Sequence, residues 1–234
     1  MSAKSTNAKN KTKLKKIPKE WPGAFGAFKY SKDIILFNIG NIFILSLISG
    51  AFANFGNNIK NIGLALIVLF VAYIFIFFIQ IALIINYFAG ADNKKINLSD
   101  SIKKAQHYLV NYIIMYILRV IIIILSIMAF IIPFFFILPR LLLSDYYLVD
   151  KDLGPVESLK ASWTGTKGHA LQVYSVIGAY IAMLLPVGLL ILLILASKSF
   201  AFVFLLLPAI LATAVAIFLY GAAYTVLYRN ITTK

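Results

Sequence analysis

Arg119, Arg140 and Asp145 are charged residues inside a run, Tyr112–Val149, that is otherwise mostly apolar. An ionised group placed within a bilayer costs several kcal/mol, so it usually has a partner or a task. If the run folds back on itself near Ile131–Phe134, Arg119 stands about as far before the turn as Asp145 stands after it. The two then share one depth and pair across the hairpin, which a separation beyond salt-bridge reach would disprove. Arg140 lies deeper, with Ser144 one helical turn away on the same face. Together they read as a contact for an anionic lipid headgroup or ligand. The alternative is that Arg140 snorkels, or satisfies backbone carbonyls freed by Pro133 and Pro139.

Other chemistry is sparse. The two histidines, His107 and His169, stand far apart in the sequence, and a metal site needs several ligands. There is no cysteine, which excludes disulfides, zinc-thiolate sites and thiol catalysis. No phosphate-binding glycine loop, nucleophile elbow, H-E-x-x-H or paired-carboxylate pattern occurs. No enzyme, metal or cofactor is expected. Asn38, Asn41, Gln80 and Asn86 read as polar glue between helices, and Gly40, Gly178 and Gly188 as close-packing points.

The elements that hold these residues follow from composition. The 234 residues are 62% hydrophobic and 13% charged, with a mean hydropathy of +0.91. A soluble domain is only about 45–50% apolar, so the excess must face lipid. The charges gather between apolar runs, the pattern of a multi-pass membrane protein. A bilayer core needs about 20 apolar residues per helix. The expected spans are about 34–55, 62–89, 110–130, 133–149, 170–196 and 200–228, within one membrane domain over 23–234.

The run from 112 to 149 is too long for one span. It reads either as two short helices in a hairpin or as one span followed by an interfacial segment. The distribution of Lys and Arg favours the hairpin. With six helices, only Lys60 and Lys198 fall in outer loops. With five, Arg140, Lys151, Lys160, Lys167, Arg229 and Lys234 all move outside. Six spans place both termini in the cytoplasm and the chain in the plasma membrane.

The net charge is +14. Much of it lies in residues 1–22, where Lys4, Lys9, Lys11, Lys13, Lys15, Lys16 and Lys19 form a basic tail with little to bury, expected to be disordered. Beside a bilayer such a tail orients the chain and attracts anionic headgroups, a role preferred here over nucleic-acid binding. Ala51-Phe52-Ala53 resembles a signal-peptide cleavage site, but the preceding polar region and the apolar run are both too long.

A repeat is legible. Asp100-Ser101-Ile102-Lys103 lines up with Glu157-Ser158-Leu159-Lys160, and Ala27-Phe28-Lys29 is a weaker third copy. Asn97 with Asp100, and Gly154 with Pro155 and Glu157, carry helix-start chemistry. Apolar residues then recur at helical spacing, with lysines opposite. These read as amphipathic interfacial helices before spans 3 and 5, with the weak copy before span 1. Trp163 is placed as an interface anchor. The expected fold is all-α, with six transmembrane helices as three hairpins.

Residues 132–169 carry a pattern of Ile132-Pro133, Pro139-Arg140, Val149-Asp150, Gly154, Glu157-Ser158-Leu159-Lys160-Ala161-Ser162-Trp163 and Lys167-Gly168. It resembles the membrane domain found beside some bacterial glycerophosphoryl diester phosphodiesterases, and the related YciC-like multi-pass proteins. The resemblance implies fold and location. It does not imply phosphodiesterase activity, because no soluble catalytic domain is present and His107 and His169 do not supply that enzyme's histidines or metal carboxylates. The expectation is a non-enzymatic membrane protein with a structural, lipid-interacting or accessory role and an unidentified protein partner at most. The alternative is a transporter or permease component, suggested by proline-broken helices and buried charge.

Overall fold

A computed structural model describes residues 17–18, 20–53, 61–129, 131–197 and 206–233. The lysines at 4–16, Lys19, Lys60 and Lys198 lie outside the described residues. The described chain is all-helical: α1 (Gly23–Phe37), α2 (Ile39–Ala53), α3 (Ile62–Ala91), α4 (Leu98–Ala129), α5 (Ile131–Leu141), α6 (Ser144–Lys151), α7 (Pro155–Gly165), α8 (Ala170–Ser197) and α9 (Leu206–Thr232). Ile62–Ala91, Leu98–Ala129, Ile132–Lys151 and Ala170–Leu190 are each long and apolar enough to cross a membrane, and α1 with α2 makes a fifth if that bent pair is one span. Large apolar side chains such as Leu66, Ile67, Phe70 and Phe136 point outward. Such a surface is stable only against lipid. The chain is a multi-pass membrane protein.

The first apolar run is not one straight helix from residue 34. It breaks at Asn38, where α1 and α2 meet at 96°. The cause is Asn38 itself. Its amide donates to the carbonyls of Asn86 (3.3 Å) and Lys94 (3.2 Å), and its Oδ1 accepts from the Ile96 amide at 3.1 Å. Asn41 donates to Asn86 Oδ1 at 3.0 Å and to the Ile96 carbonyl at 2.7 Å. The α3–α4 loop thus bonds into the break, and polar backbone that lipid could not satisfy is satisfied by protein. Gln80, by contrast, is exposed.

The segment before the third run also departs from expectation. Residues 98–111 form no separate interfacial helix, because α4 continues unbroken to Ala129. Nothing interrupts it: the helix contains neither Gly nor Pro. The corresponding segment before α8 is separate. There α7 starts on Gly154 and Pro155 and ends before a turn in which Gly168 takes φ 84°, a conformation glycine adopts without steric cost.

The fourth run is likewise broken, into α5 and α6, with Leu142 and Leu143 in the turn between them. Pro139 has no N–H to give the Phe135 carbonyl, one helical turn back. The Tyr174 hydroxyl of α8 donates to that carbonyl instead. Beyond Pro139, Ser162 donates to the Arg140 carbonyl at 2.6 Å and Ser144 to the Leu141 carbonyl at 2.7 Å. The carbonyl freed by Pro139 is thus served by Tyr174 of α8 and not by Arg140, while Ser162 and Ser144 serve the carbonyls at the α5–α6 break.

Consecutive helices α2 and α3, α4 and α5, and α8 and α9 pack together, and α1 lies along α9 and α8. The core is concentrated where the ends of α3, α6 and α9 meet. Tyr146 and Tyr228 stack at 6.0 Å, and Phe88 meets both edge-on. Close approach depends on Gly90, where a Cβ would strike the Ile34 carbonyl, and on Gly221, where it would press the Tyr87 ring. Gly40, Gly178 and Gly188 are not such points, since a Cβ there meets nothing among the described residues.

Candidate functional site

Two charged centres lie in the packed half of the molecule. In the first, α4 carries Arg119 and α6 carries Asp145. Arg119 Nη1 is 2.7 Å from Asp145 Oδ1 and 3.3 Å from Ser144 Oγ. The side chains are only 11% and 17% exposed. The guanidinium stands 5.1 Å from the centre of the Tyr116 ring, and buried Tyr112 lies alongside. Removing either charge would leave the other buried and uncompensated, the costly case for an ion pair. As it stands, the pair fastens α6 to α4.

Ser144 is fully buried and committed to Arg119 and the Leu141 carbonyl. Arg140 turns the other way, toward α7. Its Nη1 reaches the Trp163 carbonyl at 3.4 Å, and its guanidinium lies 5.9 Å from the Trp163 ring centre. The fold therefore brings Ser144 to Arg119 and Arg140 to Trp163. Trp163 is 45% exposed on α7.

The second centre is a cavity of about 650 Å³ between the ends of α3, α4, α6 and α9. Its apolar wall includes Ile85, Phe88, Ile96 and Val149. Its basic side carries Lys94 and Lys95 from the α3–α4 loop, and Lys103, Lys104 and His107 from α4. Arg229, Asp92 and Asp150 complete it. Arg229 Nη2 lies 3.1 and 3.2 Å from the two Asp92 oxygens, and its Nη1 lies 3.2 Å from Asp150 Oδ1. Tyr228 donates to Asp150 Oδ2 at 2.7 Å. The guanidinium sits 4.9 Å from the Phe88 ring centre. This clamp ties together the ends of α3, α6 and α9.

Both acids of the cavity are thus spent on Arg229. Among the described residues, no carboxylate lies within 4 Å of the amines of Lys94, Lys95, Lys103 or Lys104. His107 Nε2 is 3.6 Å from Asp152, both well exposed, and His169 Nδ1 is 3.1 Å from Gln172 Oε1. Among the described residues no three His, Asp or Glu side chains converge as metal ligands.

Sequence reasoning passes over this cavity and over Tyr174. Charge at the edge of an apolar run is ordinary, so Asp92, Asp150 and Arg229 carry no signal separately. Tyr174 had one indirect signal: a proline deep in an apolar run needs a donor for the carbonyl it orphans. No family model, no curated protein and no solved structure matches this chain.

Proposed function

We propose that this is a six-span plasma-membrane protein with both termini in the cytoplasm, acting without catalysis as a lipid-interacting or accessory component. Its spans form three hairpins, α2 with α3, α4 with α5–α6, and α8 with α9, entered by way of α1, the start of α4, and α7. The observation that carries the reading is the gathering of charge at one end. Lys94, Lys95, Lys103, Lys104 and Arg229 border one cavity, and Lys151 stands 3.7 Å from Asp150 beside it. Basic residues on one side of a bilayer mark the cytoplasmic face. The resemblance of residues 132–169 to the phosphodiesterase-associated membrane domain points the same way. Polar groups deeper in the bundle are consumed by helix packing, which argues against a solute path.

The chain has no cysteine, so single cysteines can map sidedness. Lys95→Cys and Thr164→Cys, both at exposed positions, should react with a membrane-impermeant thiol reagent only from the cytoplasmic side. Ile62→Cys, at the exposed start of α3, should react only from outside. Labelling of Thr164→Cys from outside, with Lys95→Cys still labelled from the cytoplasm, would overturn the six-span arrangement.

A further inference from the structure

We infer that the basic cavity is a binding site for a phosphate-bearing anion, seated with its charge against Lys94, Lys95, Lys103 and Lys104 and its apolar part against the half-buried Ile96 and Val149. The inference rests on the membrane reading above and names the ligand chemistry of that same site. Like charges gathered around one space repel, and the four exposed lysines that border this one have no carboxylate among the described residues within 4 Å, because the cavity's own acids are held by Arg229. An anion between them relieves that repulsion. The loop that carries Lys94 and Lys95 is fixed by Asn38 and Asn41, through the Lys94 and Ile96 backbones. The other lysine pair is fixed on the helical start of α4. The backbone under both pairs is therefore held in place before any ligand arrives, which lowers that part of the ordering cost of binding.

The cavity wall selects within the anions. A fully polar ligand gains nothing from Ile96 and Val149, whereas a lipid places glycerol and the first acyl carbons there. Basic pockets between transmembrane helices on the cytoplasmic side are suited to anionic headgroups. The same phosphate chemistry could be offered by a water-soluble phosphate ester.

The test uses the full chain purified in detergent. Native mass spectrometry follows retention of phosphatidylglycerol against phosphatidylcholine, with inorganic phosphate and glycerol 3-phosphate added separately in excess as competitors. We expect phosphatidylglycerol to be retained selectively. The variant K94Q/K95Q/K103Q/K104Q should weaken retention by roughly tenfold or more, as expected for losing several lysine–headgroup attractions. A control carrying K160Q/K167Q, at two exposed lysines that neither line the cavity nor pair with its acids, should change it by less than about twofold. If the fourfold variant does not accumulate, K103Q/K104Q alone, at two exposed positions, gives the same comparison. Retention of phosphatidylglycerol that glycerol 3-phosphate does not displace assigns the site to lipid. Tight binding of glycerol 3-phosphate with no preference between lipids assigns it to a soluble ester. Equal weakening in the cavity and control variants, or no selectivity for any phosphate anion, overturns the proposal. The sidedness experiment does not depend on these lysine charges together, so the two readings fail separately.

Discussion

Arg119 Nη1 and Asp145 Oδ1 lie 2.7 Å apart, on α4 and α6, in the interior of the bundle. Their mutual dependence is measurable. Arg119→Met or Asp145→Leu alone should each destabilise the folded protein by about 3–5 kcal/mol, because the remaining charge is buried without its partner. The double variant should be less destabilised than either single one. Reversible unfolding in mixed micelles checks this, and additive losses would show that the two charges are not coupled.

Tyr174 and Pro139 form a second coupled pair. Tyr174→Phe leaves the Phe135 carbonyl without a donor and should cost about 1–3 kcal/mol. In a Pro139→Ala background the helix can supply its own N–H to that carbonyl, and the cost of Tyr174→Phe should largely vanish. An unchanged cost in the two backgrounds would mean that the hydroxyl matters for some other reason.

Asn38 holds the α3–α4 loop against the α1–α2 break. Asn38→Leu removes the acceptor of the Ile96 amide and one donor to the Lys94 carbonyl. The Ile96 amide should then exchange with solvent deuterium at least about tenfold faster, the equivalent of losing roughly 1.4 kcal/mol of local protection. The thiol labelling at Lys95→Cys should remain one-sided. Hydrogen exchange resolved to this loop decides the matter, and unaltered exchange at Ile96 would remove Asn38 from its role.

Ser144 separates the accessory reading from a transporter. It is fully buried and hydrogen-bonded on both sides, so Ser144→Cys in intact cells should resist membrane-impermeant reagents from either face. Labelling from both faces would open a water path beside Arg119 and favour transport.

The helices are legible because apolar run length and hydrophobic periodicity act locally. The breaks are less so. Asn38 looks like one polar residue in an apolar run, and its effect comes from Ile96 and Lys94, far along the chain. The unbroken α4 is the converse: amphipathic residues 98–111 resemble those of α7, but only α7 is followed by a turn with glycine in a left-handed conformation. Of the charged groups, Arg119 and Asp145 stand out by their apolar surroundings. The cavity lysines do not, because only the convergence of the loop with α4, α6 and α9 turns scattered interface charges into one lined space.

The contact between α1 and α9 bears on how the protein is made. The first described helix packs along the last, and Asn230 donates to the Pro18 carbonyl at 3.0 Å. Ribosomal synthesis delivers α1 well before α9. The face of α1 that presents Ala27, Phe28, Ile34 and Ile35 therefore lacks its principal cover until α9 has been inserted. Until then an insertase, a chaperone or surrounding lipid must cover that face, and a chain stalled before α9 displays it as a mark of unfinished assembly.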